Sequence, residues 1–205
     1  MSSMRMDHAR ADIEARVQAL CRAGEVSEAA TLTIRAHGPE VLGFLCTALG
    51  DRADAEEVFS VFCEALWRGL ASFQWRCSLR TWTYVIARHA CLRFGTRASR
   101  QPLRASEPLN SEVLNVAAEV RQSTVSHLRG DPQERVRELR ALLSTEEQML
   151  LTLRIDRRME WVDIARVLLP EAEEPERAAA AVRKRFQRLK ERLRARMTPA
   201  PPPRE

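Results

Sequence analysis

The sequence predicts an all-α protein built from two small helical domains and a linker. Alanine, leucine, arginine and glutamate dominate the chain, whereas β-branched residues seldom alternate with polar ones as they do in strands. Apolar residues make up 45% of the 205 positions, which is enough for a packed core. This length fits one ordinary domain or two small ones, and a change of composition at residues 99–131 favours two.

The composition argues against a membrane protein, a secreted protein and a metalloprotein. No stretch approaches the length of apolar sequence that crosses a bilayer, so we expect no membrane insertion. The first ten residues are polar and include Asp7, unlike a signal peptide. We therefore expect a cytoplasmic protein without a metal or other cofactor. The cysteines agree, because they are odd in number and form no CxxC pair: Cys21, Cys46, Cys63, Cys77 and Cys91.

The first half of the chain predicts a helical extension over 1–24 and a helical domain over 25–98. In that domain Ser27 is expected to cap one helix, and Gly38–Pro39 to separate it from the next. Two further helices follow, the second of them capped by Ser78. The positions expected to face the core in these two helices are Val58, Phe59, Val61, Phe62, Ala65, Leu66, Leu79, Trp82, Val85, Ile86 and Ala90.

The second half of the chain predicts a linker, a second helical domain and a tail. Residues 99–131 hold Pro102, Pro108 and several serines, with only a weak helical pattern over 112–128, and this composition is typical of a linker. A helical domain is expected over 132–198, and a proline-rich tail over 199–205. Inside the domain, Ser144 and Glu147 predict a capping box, and the helices expected at 160–169 and 176–197 form a helix-turn-helix.

Positive charge is concentrated on one predicted helix of each domain. Residues 65–106 contain eight arginines and no acidic residue, directly after a helix rich in aspartate and glutamate. The predicted helix 176–197 holds nine basic residues against two glutamates. One cationic helix is usually a solvated face, but two of them joined by a linker indicate a protein that binds a polyanion at two places. Membrane or calmodulin-like binding needs spare apolar surface, which the narrow stripe of the last helix does not offer.

The last helix and an aromatic segment carry the candidate nucleic-acid contacts. Opposite its apolar stripe, the helix presents small and basic side chains that suit a DNA groove: Arg177, Ala180, Arg183, Lys184, Gln187 and Arg188. A plain bundle with a basic exterior is the alternative. Phe73, Trp75 and Arg76 lie in a break between helices, where aromatic rings next to arginine suit unstacked bases. Trp82 is expected in the core rather than on a base.

Three runs of sequence resemble two regions of a known family. The run GDRADAEEVFSVFCEALWRGLASFQWRCSLRTWTYVIARHACLRF is similar to region two of the extracytoplasmic-function sigma factors of bacterial RNA polymerase. The runs LSTEEQMLLTLRIDRRMEWVDIARVL and VRKRFQRLKERLRARM resemble region four, and they follow in the order of the family. The chain departs from the family pattern at Ser60, Val61 and His89, and its region-four turn is longer.

The resemblance implies a factor without chemistry of its own, which binds core RNA polymerase and promoter DNA. It implies polymerase docking through Asp54, Glu56, Glu57, Val58 and Phe62. It implies contacts to the −10 element from Phe73, Trp75, Arg76, Arg80, Arg88, His89 and Arg93, and contacts to the upstream element from the six residues of the last helix. An anti-sigma factor is a further partner that the family commonly has.

Two other classes of function are open to the sequence. Because Ser60 and Val61 replace family residues in the expected docking helix, a stand-alone helix-turn-helix regulator without polymerase binding is the main alternative. An enzyme is disfavoured, since the four histidines are far apart in sequence and no carboxylate pair has a useful spacing. We therefore expect a non-enzymatic transcription initiation factor.

Overall fold

A computed structural model describes residues 2–97, 111–127 and 142–197. These ranges contain helices and turns and no strand, so the expected all-α fold is confirmed. The chain divides into two compact units, Met1–Asp131 and Pro132–Glu205. The start of the second predicted domain at 132 and the predicted tail 199–205 lie outside the described residues.

The first unit contains five described helices, and the second contains three with one π-helical turn. The helices of the first unit are α1 (Ser2–Ala23), α2 (Val26–Leu49), α3 (Arg52–Leu70), α4 (Leu79–Arg97) and α5 (Ser111–His127). Those of the second are α6 (Thr145–Leu151), the π-helical turn Thr152–Asp156, α7 (Trp161–Leu168) and α8 (Pro175–Met197).

Helix α2 is one continuous helix, so the predicted break at Gly38–Pro39 is wrong. Its N-cap is Glu25 without a side-chain cap, and Ser27 instead accepts a hydrogen bond from the indole of Trp67 at 3.3 Å. An internal proline costs a helix about 3 kcal/mol. Burial of many apolar residues on both sides of Pro39 outweighs that cost, since each large one contributes about 1.5–3 kcal/mol.

The core of the first unit is formed by α2, α3 and α4. The buried positions of α3 include Val58, Phe59, Phe62 and Leu66, as the sequence predicts, whereas Val61 is half-buried and Ala65 is exposed. In α4 the core residues Leu79 and Ala90 are predicted correctly. Trp82, Val85 and Ile86 are only half-buried, and the helix instead buries Thr81, Thr83, Tyr84, Ala87, Arg88 and Cys91.

Helix α5 packs against α2, although the sequence predicts a linker over this segment. It buries Val113, Val116, Ala117 and Val120, which recur at helical spacing. The approach is close at Gly38, where an added Cβ would lie 3.2 Å from the methyl groups of Val120. Gly38 therefore leaves room on α2 for the small apolar stripe of α5. This stripe is too short of large apolar residues to be recognised from the sequence alone.

In the second unit, α6, α7 and α8 surround a small core. The predicted capping box at the start of α6 is confirmed, because Ser144 Oγ accepts from the backbone of Glu147 at 3.3 Å and the Glu147 carboxylate accepts from the backbone of Ser144 at 3.0 Å. The buried residues of this core include Met149, Leu150, Leu153, Ile164, Val167, Val182, Phe186 and Leu189. An acidic, exposed turn at 169–174 joins α7 to α8.

Candidate nucleic-acid interface

Three aromatic rings form a cluster where α3 passes into α4. The ring of Phe73 lies between Trp75, at a centroid distance of 4.7 Å, and Trp82, on which it stacks at 4.4 Å with an angle of 17°. All three side chains are half-buried, so each keeps an accessible part. An added Cβ at Gly69 would come within 3.2 Å of the Trp82 ring, so the glycine lets this ring lie against α3. Trp82 thus belongs to the aromatic cluster rather than to the core.

The backbone of Trp75 is in the left-handed region, with φ at +57°. This conformation is uncommon for a residue with a large side chain and costs on the order of 1 kcal/mol or more. The exposed residues Gln74 and Arg76 flank it. An aromatic ring held at the surface next to a guanidinium can stack on a base and pair with a phosphate.

The basic residues of α4 fall into two groups. His89 and Arg93 are exposed, one helical turn apart. Arg88 is only 8% exposed, and the side chain of Arg80 is only 12% exposed. Expected as contacts to a DNA strand, Arg80 and Arg88 are instead turned into the fold. Among the α4 residues whose side chains the structure describes, His89 and Arg93 are therefore the basic ones that present their charge on this surface.

The carboxylate of Glu40 on α2 holds Arg80 in place. Arg80 donates from Nε to Glu40 Oε2 at 2.9 Å, and its Nη2 lies 2.8 Å from the same oxygen. The Tyr84 hydroxyl also donates to Oε2, at 3.2 Å. The other oxygen accepts from Arg10 of α1 at 3.2 Å. Sequence reasoning missed Glu40, although the absence of any acidic residue over 65–106 means that ion-pair partners for this segment come from elsewhere.

His37 is buried one turn before this network. Burial lowers the pKa of His37 to about 4; the charge of Glu40 opposes this shift, while those of Arg80 and Arg10 add to it. The imidazole is therefore neutral at pH 7, and the described network carries two cations on one carboxylate.

The candidate polymerase-docking residues on α3 are split between the surface and the core. Val58 and Phe62 are fully buried, and Phe62 stacks on Phe59 at 5.5 Å, so these two do not offer a docking contact. Glu57 is exposed, and Asp54 is half-buried. The side chains that share the outward face of α3 with Glu57 are Ser60, Val61, Glu64 and Arg68.

Several residues on this face already have partners. Glu56 pairs with Arg52 at 2.7 Å, and Glu64 pairs with Arg68 at 2.9 Å. Ser60 accepts a hydrogen bond from Arg121 of α5 at 2.9 Å. The departure from the family pattern at this position therefore coincides with a contact to α5. Val61, predicted to face the core, is partly exposed beside it.

All six predicted DNA contacts on α8 are exposed, but they do not share one groove. Ala180, Arg183, Lys184 and Gln187 line a groove of about 550 Å³ against the start of α7. Arg188 lies on the other flank, where it lines a separate groove of about 410 Å³ together with Arg185, Arg192 and residues of α6. Arg177 is exposed on the first turn of the helix.

Trp161 forms the α7 wall of the larger groove. Its ring meets Phe186 edge to face at 5.4 Å, and the guanidinium of Arg154 lies 4.5 Å from its centroid. The carboxylates of Glu160 and Glu176 also line this groove, and sequence reasoning missed both. Cationic, amide and carboxylate groups together can donate to and accept from base edges.

On the smaller groove, Glu147 contacts both its own helix and α8. Its carboxylate accepts from the Arg192 guanidinium, which lies on the flank that also carries Arg188. Partial burial opposes ionisation, but the hydrogen bonds from Ser144 and the charge of Arg192 lower the pKa of Glu147 below its usual value. The cap of α6 and the basic flank of α8 are thereby linked.

Comparison with known proteins finds a family resemblance in part of the first unit. Residues 33–101 match the family model of sigma-70 region 2. Over this segment the chain is similar to region 2 of the sigma-70 family. The predicted resemblance to a sigma factor, which acts in transcription initiation, is thus confirmed at the level of that family, while the extracytoplasmic-function branch stays a prediction. No curated protein and no solved structure matches the chain.

The match to region 2 spans most of α2, all of α3, the aromatic cluster and α4. Helices α1 and α5 and the whole second unit lie outside the match. Within the described ranges, no helix has the length and apolarity needed to cross a membrane. The same ranges hold no group of three or more histidine, cysteine, aspartate or glutamate side chains placed to bind a metal ion.

Proposed function

We propose that this chain binds core RNA polymerase and directs it to promoters to start DNA-templated transcription. The observation that carries the proposal is the aromatic cluster within region 2. Its rings are half-buried at the end of a helix hairpin, and Arg76 follows Trp75 directly. This arrangement suits one unpaired base and its phosphate better than it suits a duplex.

In the proposed complex, the outward face of α3 docks on the polymerase. Glu57 supplies an exposed negative charge for a basic surface of the clamp, and Val61 supplies apolar contact area. Val58 and Phe62 act indirectly, because they hold α3 against the core and keep that face in position. Asp54 and Glu56 lie at its N-terminal end.

The −10 element is bound as a separated strand by the aromatic cluster and α4. Trp75 provides the stacking surface for a flipped base, while Arg76, His89 and Arg93 pair with phosphates along the strand. Arg80 and Arg88 support this surface from inside rather than touching the strand. Of the seven residues expected at the −10 element, Arg80 and Arg88 thus stabilise the binding surface and the other five form it.

The upstream element is bound in its major groove by the first half of α8. Small Ala180 lets the helix approach the bases, and Arg183, Lys184 and Gln187 reach base edges or adjacent phosphates. Arg188 lies on the opposite flank, so it is assigned to the phosphate backbone. Because the polymerase works on the chromosome, the proposed function also places the chain in the cytoplasm, where an anti-sigma factor is a possible regulator.

Reconstitution with core polymerase tests the proposal. The purified chain should co-elute with core, and the holoenzyme should select a two-part sequence from a randomised promoter library and support run-off transcription from it. DNA binding without binding to core would support the alternative, a stand-alone helix-turn-helix regulator. Transcription by core alone from the selected templates would also contradict the proposal.

A further inference from the structure

Helix α1 reaches across the first unit and contacts the support of the aromatic cluster at two points. Glu14 Oε2 accepts a hydrogen bond from the backbone N–H of Leu79 at 2.9 Å. One turn earlier on α1, Arg10 donates to Glu40 at 3.2 Å. The first contact joins residues 65 positions apart and the second joins residues 30 apart, so neither is a local capping pattern.

The contact of Glu14 lies at the first residue of α4. The first N–H groups of a helix have no partner inside the helix, and a carboxylate there satisfies one of them and favours the helix dipole. Ser78 satisfies the N–H of Thr81 at 3.1 Å. The start of α4 is thus held by one local cap and one cap supplied by α1.

The N-terminal end of α4, which Glu14 contacts, directly follows the segment that carries Phe73 and Trp75. Only Cys77 and Ser78 separate Arg76 from Leu79, and Trp82 is already in the first turn of α4. Movement of this turn would therefore shift Trp82 relative to Phe73, whose stacking distance is 4.4 Å. The second contact of α1 acts on the same turn, because Arg10 and Arg80 bind opposite oxygens of Glu40.

We propose that α1 is a positioning element for promoter opening. Glu14 and Arg10 fix the first turn of α4, so that the aromatic cluster has its strand-binding shape before DNA arrives. A preformed site loses less conformational entropy on binding than one that must be ordered by its ligand. This inference rests on the proposed function of the cluster, and it gives a role to a helix outside the region 2 match.

The test uses holoenzymes assembled with three variants of the full chain. Glu14→Ala removes the cap, Glu14→Gln keeps an oxygen that can accept from Leu79, and Asp12→Ala is the matched control, since Asp12 is an exposed acid on the same helix. Three affinities are measured: for core polymerase, for a duplex with the upstream element, and for a single-stranded oligonucleotide with the −10 sequence.

The expected result is a selective loss of single-strand binding. Glu14→Ala should weaken single-strand binding by up to about fivefold, because the stability that a cap gives to the first turn would then have to be supplied when the strand binds. Glu14→Gln should recover most of that affinity, and Asp12→Ala should match the wild type. Affinities for core and for the upstream duplex should stay within about twofold for all three, because sites that share no contact with Glu14 are energetically independent of it.

Two outcomes would overturn the inference, and each differs from failure of the proposed function. Unchanged single-strand binding in Glu14→Ala would show that the cap does not position the cluster. An equal fall of all three affinities would show that Glu14 serves folding alone. If Glu14→Ala does not fold, Arg10→Ala is tested in its place, and it should weaken single-strand binding by about twofold. Failure of the wild-type chain to bind core would overturn both proposals.

Discussion

The two basic helices, α4 and α8, differ in how much of their charge is available. On α8 the predicted contacts are all exposed, and five of the six line one or the other of two grooves. On α4, Arg88 is buried and Arg80 is bound by Glu40, while His89 and Arg93 remain at the surface. A run of arginines in a sequence therefore does not give the number of cations that a ligand meets.

The cause of this difference is the neighbourhood of each helix. Helix α8 buries a narrow apolar stripe of Val182, Phe186 and Leu189, which leaves the rest of its circumference to solvent. Helix α4 packs against α2 and α3, and its buried side includes Thr81, Thr83 and the guanidinium-bearing Arg88. A helix in the middle of a bundle must satisfy polar groups that an outer helix can leave in water.

The largest effect is expected on α8. Arg183→Ala combined with Lys184→Ala should weaken binding to the selected upstream duplex by about 100-fold, because in the proposed complex each of these side chains, which line the larger groove of the second unit, reaches base edges or phosphates of the DNA. Fluorescence anisotropy of the holoenzyme on that duplex measures the loss.

Arg188→Ala is the matched comparison on the opposite flank. It should lower affinity for specific and unrelated duplexes alike and reduce the salt slope by about one unit, as expected for one phosphate contact. If Arg188→Ala lost sequence preference as much as the double variant does, Arg188 would contact base edges as well, and its assignment to the phosphate backbone would be wrong.

On the side of α4, replacing Trp75 should impair strand opening by about tenfold. The reason is that base stacking on one aromatic ring contributes roughly 1–3 kcal/mol. Permanganate reactivity of promoter thymines measures opening, and anisotropy on the closed duplex measures binding. Trp67→Phe, a change at a half-buried tryptophan bound to Ser27, is the control. A similar fall in closed-duplex binding would indicate that Trp75 only stabilises the fold.

The first unit should also be the more sensitive to mild acid. Burial lowers the pKa of His37 to about 4, below its value near 6.5 in an unfolded chain. Unfolded chains therefore bind more protons between these values, and the stability contributed by neutral His37 is full above pH 6.5 and is lost as the pH falls towards 4. Between pH 7 and 5 the free energy of unfolding should decrease by about 2 kcal/mol.

Urea unfolding of the full chain at several pH values measures this effect. The control is His37→Gln, in which the decrease between pH 7 and 5 should be absent. The lowered pKa of Glu147 in the second unit acts at lower pH, because its contribution is full above the usual pKa of 4.5 and is lost below it. An equal loss of stability between pH 7 and 5 in the His37→Gln variant would contradict the assignment to His37.

The smallest effect is expected on the outward face of α3. Glu57→Gln removes one exposed charge and should weaken binding to core polymerase by about threefold, with a smaller effect at high salt. Glu28→Gln, at an exposed acid on α2, is the control for net charge. Surface plasmon resonance at two salt concentrations would reveal the difference, and identical curves for the two variants would contradict docking through Glu57.

The sequence predicts the local parts of this fold well and its long-range contacts poorly. The cap of α6 by Ser144 and the buried stripe of α8 depend on neighbours three or four residues apart, so periodicity and spacing reveal them. The link between Glu14 and Leu79 spans 65 residues, and no local pattern encodes it. The same limit explains α2, where Pro39 predicts a break that burial along the whole helix overrides.

The candidate site follows the same division. The aromatic residues and the exposed face of α8 are recognisable from residue type alone, because bases stack on rings and phosphates attract guanidinium groups. Burial of Val58, Phe62 and Arg88 depends on how α3 and α4 are rotated against α2, and helical spacing leaves that rotation open for residues at the edge of a stripe.

The left-handed backbone at Trp75 affects which residues can replace this tryptophan during evolution. Glycine accepts that conformation without strain, so substitutions selected for thermal stability alone would favour glycine at this position. The indole would be retained only under selection for what its ring does. A library screened only for stability to heat should therefore accept glycine at this position, and we expect such variants to lose promoter opening while they keep the fold.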